Sequence, residues 1–339
     1  SIQLLIPSIP ERRWMSNNWM EHYWHPVGTA KEVGEQPKQF FLLGRRLVIY
    51  RNGSELVALD DTCAHRGAAL SNGRVEDGVI SCPYHGWQYD ATGQCVHIPS
   101  LPDGAPAVSS RIRVNSHQVR EEYGLVWVAM TDQAKNFPSW PENAWSSSDY
   151  HVFMVGTYRW KANAARTVEN AMDFSHFDFV HKGYTNLGDG PVIKPYEVSV
   201  EDYGLRYVYD DTVLLRDYQL YFPFVLHDKK TVILASDGGT WSEKTATREG
   251  DTTILTFIAA PISDSDTIIY SFIARNHSLD VSDEQMASGF DEIMEQDRLI
   301  VESQQPIEIP DSIQDEIHQR CPDAASLAYR RLLAEERQM

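Results

Sequence analysis

Residues 63–87 constrain this chain more than any other stretch: CAHRGAALSNGRVEDGVISCPYHGW. Cys63-x-His65 and Cys82-x-x-His85 stand sixteen residues apart, and Gly67, Pro83 and Gly86 suit tight loops at both pairs. Two thiols and two imidazoles on such loops demand a scaffold that holds the loop tips against each other.

Three readings compete: four unrelated core residues, a structural zinc site, or a [2Fe–2S] cluster of the Rieske type. Cys₂His₂ is a legitimate zinc set. Zinc modules, however, usually pair Cys with Cys and His with His. Here each loop supplies one of each, as a cluster with two unlike irons requires. Histidine ligation also raises the potential above that of all-cysteine clusters, which suits delivery of electrons to an oxygen-activating site. The spacing therefore favours an electron relay on Cys63, His65, Cys82 and His85.

The flanking sequence is β-rich. FFLLGRRLVIYRNGSELVALD (40–60) holds two strand-like runs around Asn52-Gly53, WQYDATGQCVHIP (87–99) repeats the pattern around Thr92-Gly93, and YGLVWVAM (123–130) reads as a buried strand. A stretch rich in Pro, Trp and Ser (136–150) then suggests a boundary, giving a first domain over 1–140 and a second over 141–339. The second domain reads as a strand near 152–161 and a helix near 163–178. Short strands follow near 192–200, 204–212, 218–226, 231–236, 252–260 and 267–275, then helices at 283–304 and 324–337. The implied class is α+β with an antiparallel sheet.

A chain of 339 residues supports two such domains. Its net charge of −18 argues against nucleic acid as a partner. No apolar run approaches the ~20 residues of a membrane helix, and the N-terminal residues show no secretory pattern. Besides Cys63 and Cys82 there are only Cys95 and Cys321, both read as packing thiols. With no disulfide framework, the expected setting is the cytoplasm.

A second constellation lies in ENAMDFSHFDFVH (169–181). On a helix, Asp173 and His176 share a face, and His181 follows five residues later. Two imidazoles and a carboxylate with open positions form the facial set that binds Fe(II) for oxygen chemistry. In DEQMASGFDEIMEQDRLIVESQQ (283–305), Met286, Phe290, Ile293, Ile300 and Gln304 trace an inward stripe that also takes in Asp297. A carboxylate on a core face is costly unless paired or metal-bound. Asp297 is thus a ligand or a buried ion-pair partner, with Asp178 as the competing carboxylate. Asp173 is then free to orient a ligating histidine through its second nitrogen.

The pieces HYWHPVG, CAHRGAALSNG…CPYHGWQYD, EEYGLVWV, ENAMDFSHFDFVH, EQDRLIVESQQP and AYRRLL together resemble the catalytic subunits of Rieske non-heme iron oxygenases. They are similar to the phthalate/vanillate group, and within it to caffeine-type N-demethylases, saxitoxin-type alkaloid hydroxylases and, less closely, dicamba O-demethylase. The resemblance implies a Rieske β-domain followed by a helix-grip (START-like) domain with a curved antiparallel sheet. It implies His176, His181 and Asp297 as ligands of a mononuclear Fe(II), in a head-to-tail homotrimer. In that trimer Asp173 would bridge His176 to the neighbouring subunit's His85. It also implies a separate NAD(P)H-dependent reductase carrying flavin and an iron–sulfur cluster, and no G-x-G-x-x-G follows a strand in this chain.

The implied reaction is O₂-dependent monooxygenation, as C–H hydroxylation or N-/O-demethylation, of a small nitrogen-containing aromatic or alkaloid. Ring cis-dihydroxylation and a non-catalytic Rieske carrier with a ligand-binding domain are the alternatives. Arg206, Asp237, Tyr270 and Phe272 are the candidates for substrate contact.

Overall fold

The computed structural model describes residues 19–181, 191–211, 214–233 and 248–338. Among the described residues the first domain has ten short strands. β1 (His25–Thr29), β10 (Leu125–Ala129) and β9 (Gln118–Glu122) form one antiparallel sheet, and β2 (Lys38–Leu42), β3 (Arg45–Asn52) and β4 (Glu55–Asp60) a second. The third runs in order through β5 (Arg74–Glu76), β6 (Val79–Ser81), β7 (Gln88–Tyr89) and β8 (Cys95–His97). Both expected hairpin turns are present: Asn52 pairs with Glu55 around Gly53, and Tyr89 with Cys95 around Gly93. Leu125–Ala129 is buried at every position, as the sequence suggests.

Among the described residues the second domain holds an antiparallel sheet of seven strands. Its order is β11 (His151–Trp160), β17 (Asp266–Arg275), β16 (Thr252–Ser263), β15 (Val225–Val232), β14 (Leu214–Tyr221), β13 (Gly204–Asp211) and β12 (Val198–Glu201). Helices α1 (Ala164–Met172), α2 (Phe177–Val180), α3 (Asp283–Ala287), α4 (Phe290–Ser303) and α5 (Ala324–Gln338) complete it.

The two faces of the sheet have different partners, because side chains alternate along a strand. On one face Leu226, Ala259, Ile269 and Ile273 pack against the helices, with Val168 and Met172 of α1 and Phe290 and Met294 of α4. On the other, Val225, Ile258, Tyr270 and Phe272 meet Leu125 and Trp127 of the first domain and Trp140 of the connecting segment. A bonded pair of charges ties α1 to α5: the guanidinium of buried Arg330 donates to both carboxylate oxygens of half-buried Glu169 at 2.5 and 2.8 Å. Among the described residues no helix is long and apolar enough to cross a membrane.

Three sequence expectations are corrected. The helix expected over 163–178 stops at Met172, because Asp173 takes extended backbone (ψ 138°). The strand expected over 218–226 is the end of β14, a turn through Phe222-Pro223, and the start of β15. The helix expected over 283–304 breaks at Gly289 (φ 88°), a left-handed conformation that glycine adopts without strain. After this break the buried stripe of α4 is Phe290, Ile293, Met294, Asp297 and Val301. Ile300 is instead 46% exposed.

Candidate active site

The Cys–His pairs sit on two loops of like construction. The Gly67 N–H donates to the Cys63 carbonyl at 2.9 Å and the Gly86 N–H to the Cys82 carbonyl at 3.0 Å. Both glycines have φ of 70°, a left-handed value that other residues rarely adopt. Cys63 and Cys82 are buried at the loop bases, whereas His65 is half-buried and His85 exposed at the tips. The imidazole centroids lie 4.6 Å apart, and His65 stacks on Trp87 at 4.5 Å and 1°.

The donors fit a cluster. The buried His65 Nδ1 has no hydrogen-bond partner among the described residues, as a nitrogen kept for a metal would not. The Ala64 N–H donates to the Tyr89 hydroxyl at 3.1 Å, which leaves the hydroxyl proton for Cys63 Sγ, also at 3.1 Å. Cys95 lies in the core of this domain, and half-buried Cys321 sits 3.6 Å from the Ile193 carbonyl.

The second constellation comes from two helical segments facing the sheet. His176 and His181 flank α2, and Asp297 projects from α4. One ligand atom from each lies within 4.8 Å of the others. His176 Nε2 is 3.2 Å from His181 Nε2, and Asp297 Oδ1 is 3.5 and 3.1 Å from these two nitrogens.

Both outer nitrogens are already engaged. His176 Nδ1–H donates to Asp173 Oδ2 at 2.8 Å, and His181 Nδ1–H to Gln296 Oε1 at 2.9 Å. Protons held on both Nδ1 atoms turn both Nε2 lone pairs toward Asp297, the arrangement ligating histidines need. Asp297 Oδ1 is buried and in hydrogen-bond geometry with nothing among the described residues. These donors fit a mononuclear iron with open positions.

Asp173 also accepts from the Ser175 N–H, the Ser175 hydroxyl and the His176 N–H. Burial opposes its charge, but the bonds from His176 and Ser175 outweigh it and hold the carboxyl below its usual range. It therefore acts by closing the turn that begins α2, and not by sharing a helix face with His176. Asp178 is half-buried and outside the converging set.

His176, His181 and Asp297 open onto a cavity between the sheet and α1 and α4, with about 790 Å³ of space outside atoms, part of it continuous with solvent. None of the expected substrate contacts that the structure describes lines it. Arg206 is exposed on the opposite face of β13, bonded to both oxygens of Asp217 at 2.9 Å. Tyr270 and Phe272 point toward the first domain, with Phe272 5.9 Å from Trp140. Asp237 lies outside the described residues. Sequence reasoning missed Gln296, next to Asp297, and the cavity-lining Asp228 and Lys230 on β15.

Residues 23–117 match the Rieske [2Fe-2S] domain family, and residues 160–338 the vanillate O-demethylase oxygenase C-terminal domain. The chain belongs to the Rieske non-heme iron oxygenases and is the terminal oxygenase component of such a system, an oxidoreductase with a Rieske cluster and a mononuclear iron. Oxygenases of this family take small-molecule substrates, O₂ and electrons from a separate reductase. The chain is 30% identical to methylxanthine N1-demethylase NdmA of Pseudomonas putida over 336 residues, covering 94% of this chain and 89% of that one. The structure of NdmA with caffeine superposes with a TM-score of 0.81 at 28% identity, over 94% and 92% of the two chains. Dicamba monooxygenase bound to dicamba shares the fold, with a TM-score of 0.72 at 22% identity, over 94% and 98%.

Proposed function

We propose that the protein inserts one atom of O₂ into a C–H bond of a small nitrogen-containing aromatic or alkaloid, while the other atom leaves as water with two electrons from the reductase and two protons. On a ring or side-chain carbon the product is an alcohol; on an N- or O-methyl carbon the product loses formaldehyde and the net reaction is demethylation. The observation that carries this reading is the convergence of His176, His181 and Asp297 on a largely apolar cavity, in a chain that also presents a Rieske quartet. Likeness to a methylxanthine N-demethylase over 94% of the chain supports the substrate class.

When bound, the iron supplies oxygen activation and the cluster supplies electrons. The chain's own residues do the positioning. Asp173 and Gln296 hold the protons on the outer nitrogens of His176 and His181. Leu255, Phe257 and Phe290 give a flat ring an apolar wall to lie against.

The electron donor in this reading is a separate NAD(P)H-dependent reductase with flavin and an iron–sulfur cluster, and the compartment is the cytoplasm. The assembly is a head-to-tail homotrimer in which Asp173 links His176 to the neighbouring subunit's His85. Exposure of His85, with Tyr84 beside it 59% exposed, supports that arrangement.

The test is a metal count on anaerobically purified protein, followed by a screen of N-methylated heteroaromatics for formaldehyde release. Wild type should carry about three irons and about two acid-labile sulfides per chain. Asp297→Ala should drop to about two irons with sulfide unchanged. About two irons in both would leave a carrier of electrons and sink the oxygenase reading.

A further inference from the structure

Away from His176, His181 and Asp297 the cavity wall is mostly apolar, and two charged side chains interrupt it. Asp228 and Lys230 stand two apart on β15, so the pleat turns both toward the helices. Both line the cavity while only 4% and 8% exposed. A carboxylate so far from water is unfavourable unless its oxygens are satisfied. One of them is: Oδ2 lies 3.3 Å from Lys230 Nζ and 3.5 Å from a guanidinium nitrogen of Arg216. The other, Oδ1, is buried and accepts no hydrogen bond among the described residues.

The orientation of this carboxylate is set from the neighbouring strand. Arg216 on β14 pairs with Lys230 across the strands, and its guanidinium stands 5.4 Å from the Phe177 ring, beside His176. The cationic side chains hold Oδ2, so Oδ1 is the oxygen left for a molecule that enters the cavity. A buried acceptor in an apolar wall rejects a ligand that brings no donor, because the acceptor then stays unsatisfied.

We propose that Asp228 Oδ1 accepts a hydrogen bond from a ring N–H of the substrate, with the Lys230 ammonium beside it as donor to an adjacent carbonyl. The substrate class is then a flat heteroaromatic lactam whose N–H and C=O share one edge. This inference rests on the reading of the cavity as the substrate site. Asp228 fixes which way round the ring lies, and so which carbon faces His176, His181 and Asp297; it touches no reacting atom.

The probes are 2-quinolone, whose N–H and C=O lie side by side, and N-methyl-2-quinolone, which keeps the carbonyl and lacks the donor. Dissociation constants are measured by calorimetry on anaerobic, iron-loaded protein. Wild type should bind 2-quinolone roughly 10- to 100-fold tighter than its N-methyl analogue. In Asp228→Asn the amide oxygen stays on the cationic side and the NH₂ group takes the Oδ1 position, so a donor meets a donor. There the preference should fall below about threefold, with the visible spectrum of the cluster unchanged.

Equal affinities in wild type, or an unchanged preference in the variant, would overturn the inference while leaving the cavity as the substrate site. Failure of wild type to bind either probe would overturn both. Should the variant not fold, the wild-type ratio alone decides.

Discussion

Replacing Asp173 with alanine removes an acceptor on which four donors converge: the Ser175 N–H at 3.1 Å and hydroxyl at 2.6 Å, and the His176 N–H at 3.1 Å and Nδ1–H at 2.8 Å. The first three close the turn into α2. Their loss, like that of a helix cap, costs about 1 kcal/mol of local stability. The fourth keeps the proton on His176 Nδ1, and without it Nε2 is no longer held as a lone pair facing Asp297. Losing such a partner typically weakens metal binding about 10- to 100-fold, or roughly 1.4–2.7 kcal/mol. Asp173→Asn separates the effects, because asparagine caps as well as aspartate but cannot hold the Nδ1 proton as a carboxylate does. Both variants should bind Fe(II) 10- to 100-fold more weakly, roughly, in competition with a chromogenic chelator. Cluster absorbance should persist in both, and only the alanine variant should also lose thermal stability. Iron affinity within about threefold of wild type in both variants would refute the orienting role. Turnover lost with iron fully retained would leave Asp173 as an electron bridge alone.

Tyr89→Phe removes a hydroxyl whose proton points at Cys63 Sγ from 3.1 Å. Hydrogen bonds to cluster sulfur stabilise the reduced, more negative state, so the midpoint potential should fall by about 20–60 mV in a spectroscopic redox titration; an unchanged potential would exclude that bond. Asp264 is pushed up to about 6 by burial first and by Glu308 second. A raised carboxyl holds its proton more tightly folded than unfolded, so it lowers stability as pH climbs from about 4 through 6, and the penalty is complete above that. Asp264 is half-exposed, and screening reduces the effect to about 1 kcal/mol. Asp264→Asn should therefore raise the melting temperature by about 2 °C at pH 8, with the gap narrowing toward pH 5; a gap that widens on acidification would contradict the sign.

The features legible in the sequence are those fixed by short spacing. Cys63-x-His65 and Cys82-x-x-His85 each lie on one loop, and Asn52-Gly53 and Thr92-Gly93 mark turns between strands that pair locally. A turn whose polarity is set by its tertiary neighbours escapes this reading. The turn after β14 runs through Phe222-Pro223, apolar because Trp19, Tyr23 and Tyr329 cover it. Pro223 is its one marker, and with no polar residue beside it the apolar run reads as a continuous strand.

The same physics explains why the converging His176, His181 and Asp297 are legible in the sequence and the side chains lining the cavity are not. His176 and His181 are five residues apart, and Asp297 shows itself as a charge on a buried stripe, a clue that survives an error in helix phase of one position. A substrate contact on a strand has no such tolerance. Shifting the assigned face by one residue exchanges every inward side chain for an outward one. On β17 the inward set is Ile269 and Ile273, whereas Tyr270 and Phe272 face the first domain. The aromatics draw attention as candidate contacts, yet they serve to join the two domains. On β15 the inward set includes Asp228 and Lys230, which the sequence pattern leaves in the gap between strands expected at 218–226 and 231–236. Only the helices laid over that face turn two ordinary surface charges into a buried pair, and the cavity's polarity follows from that covering.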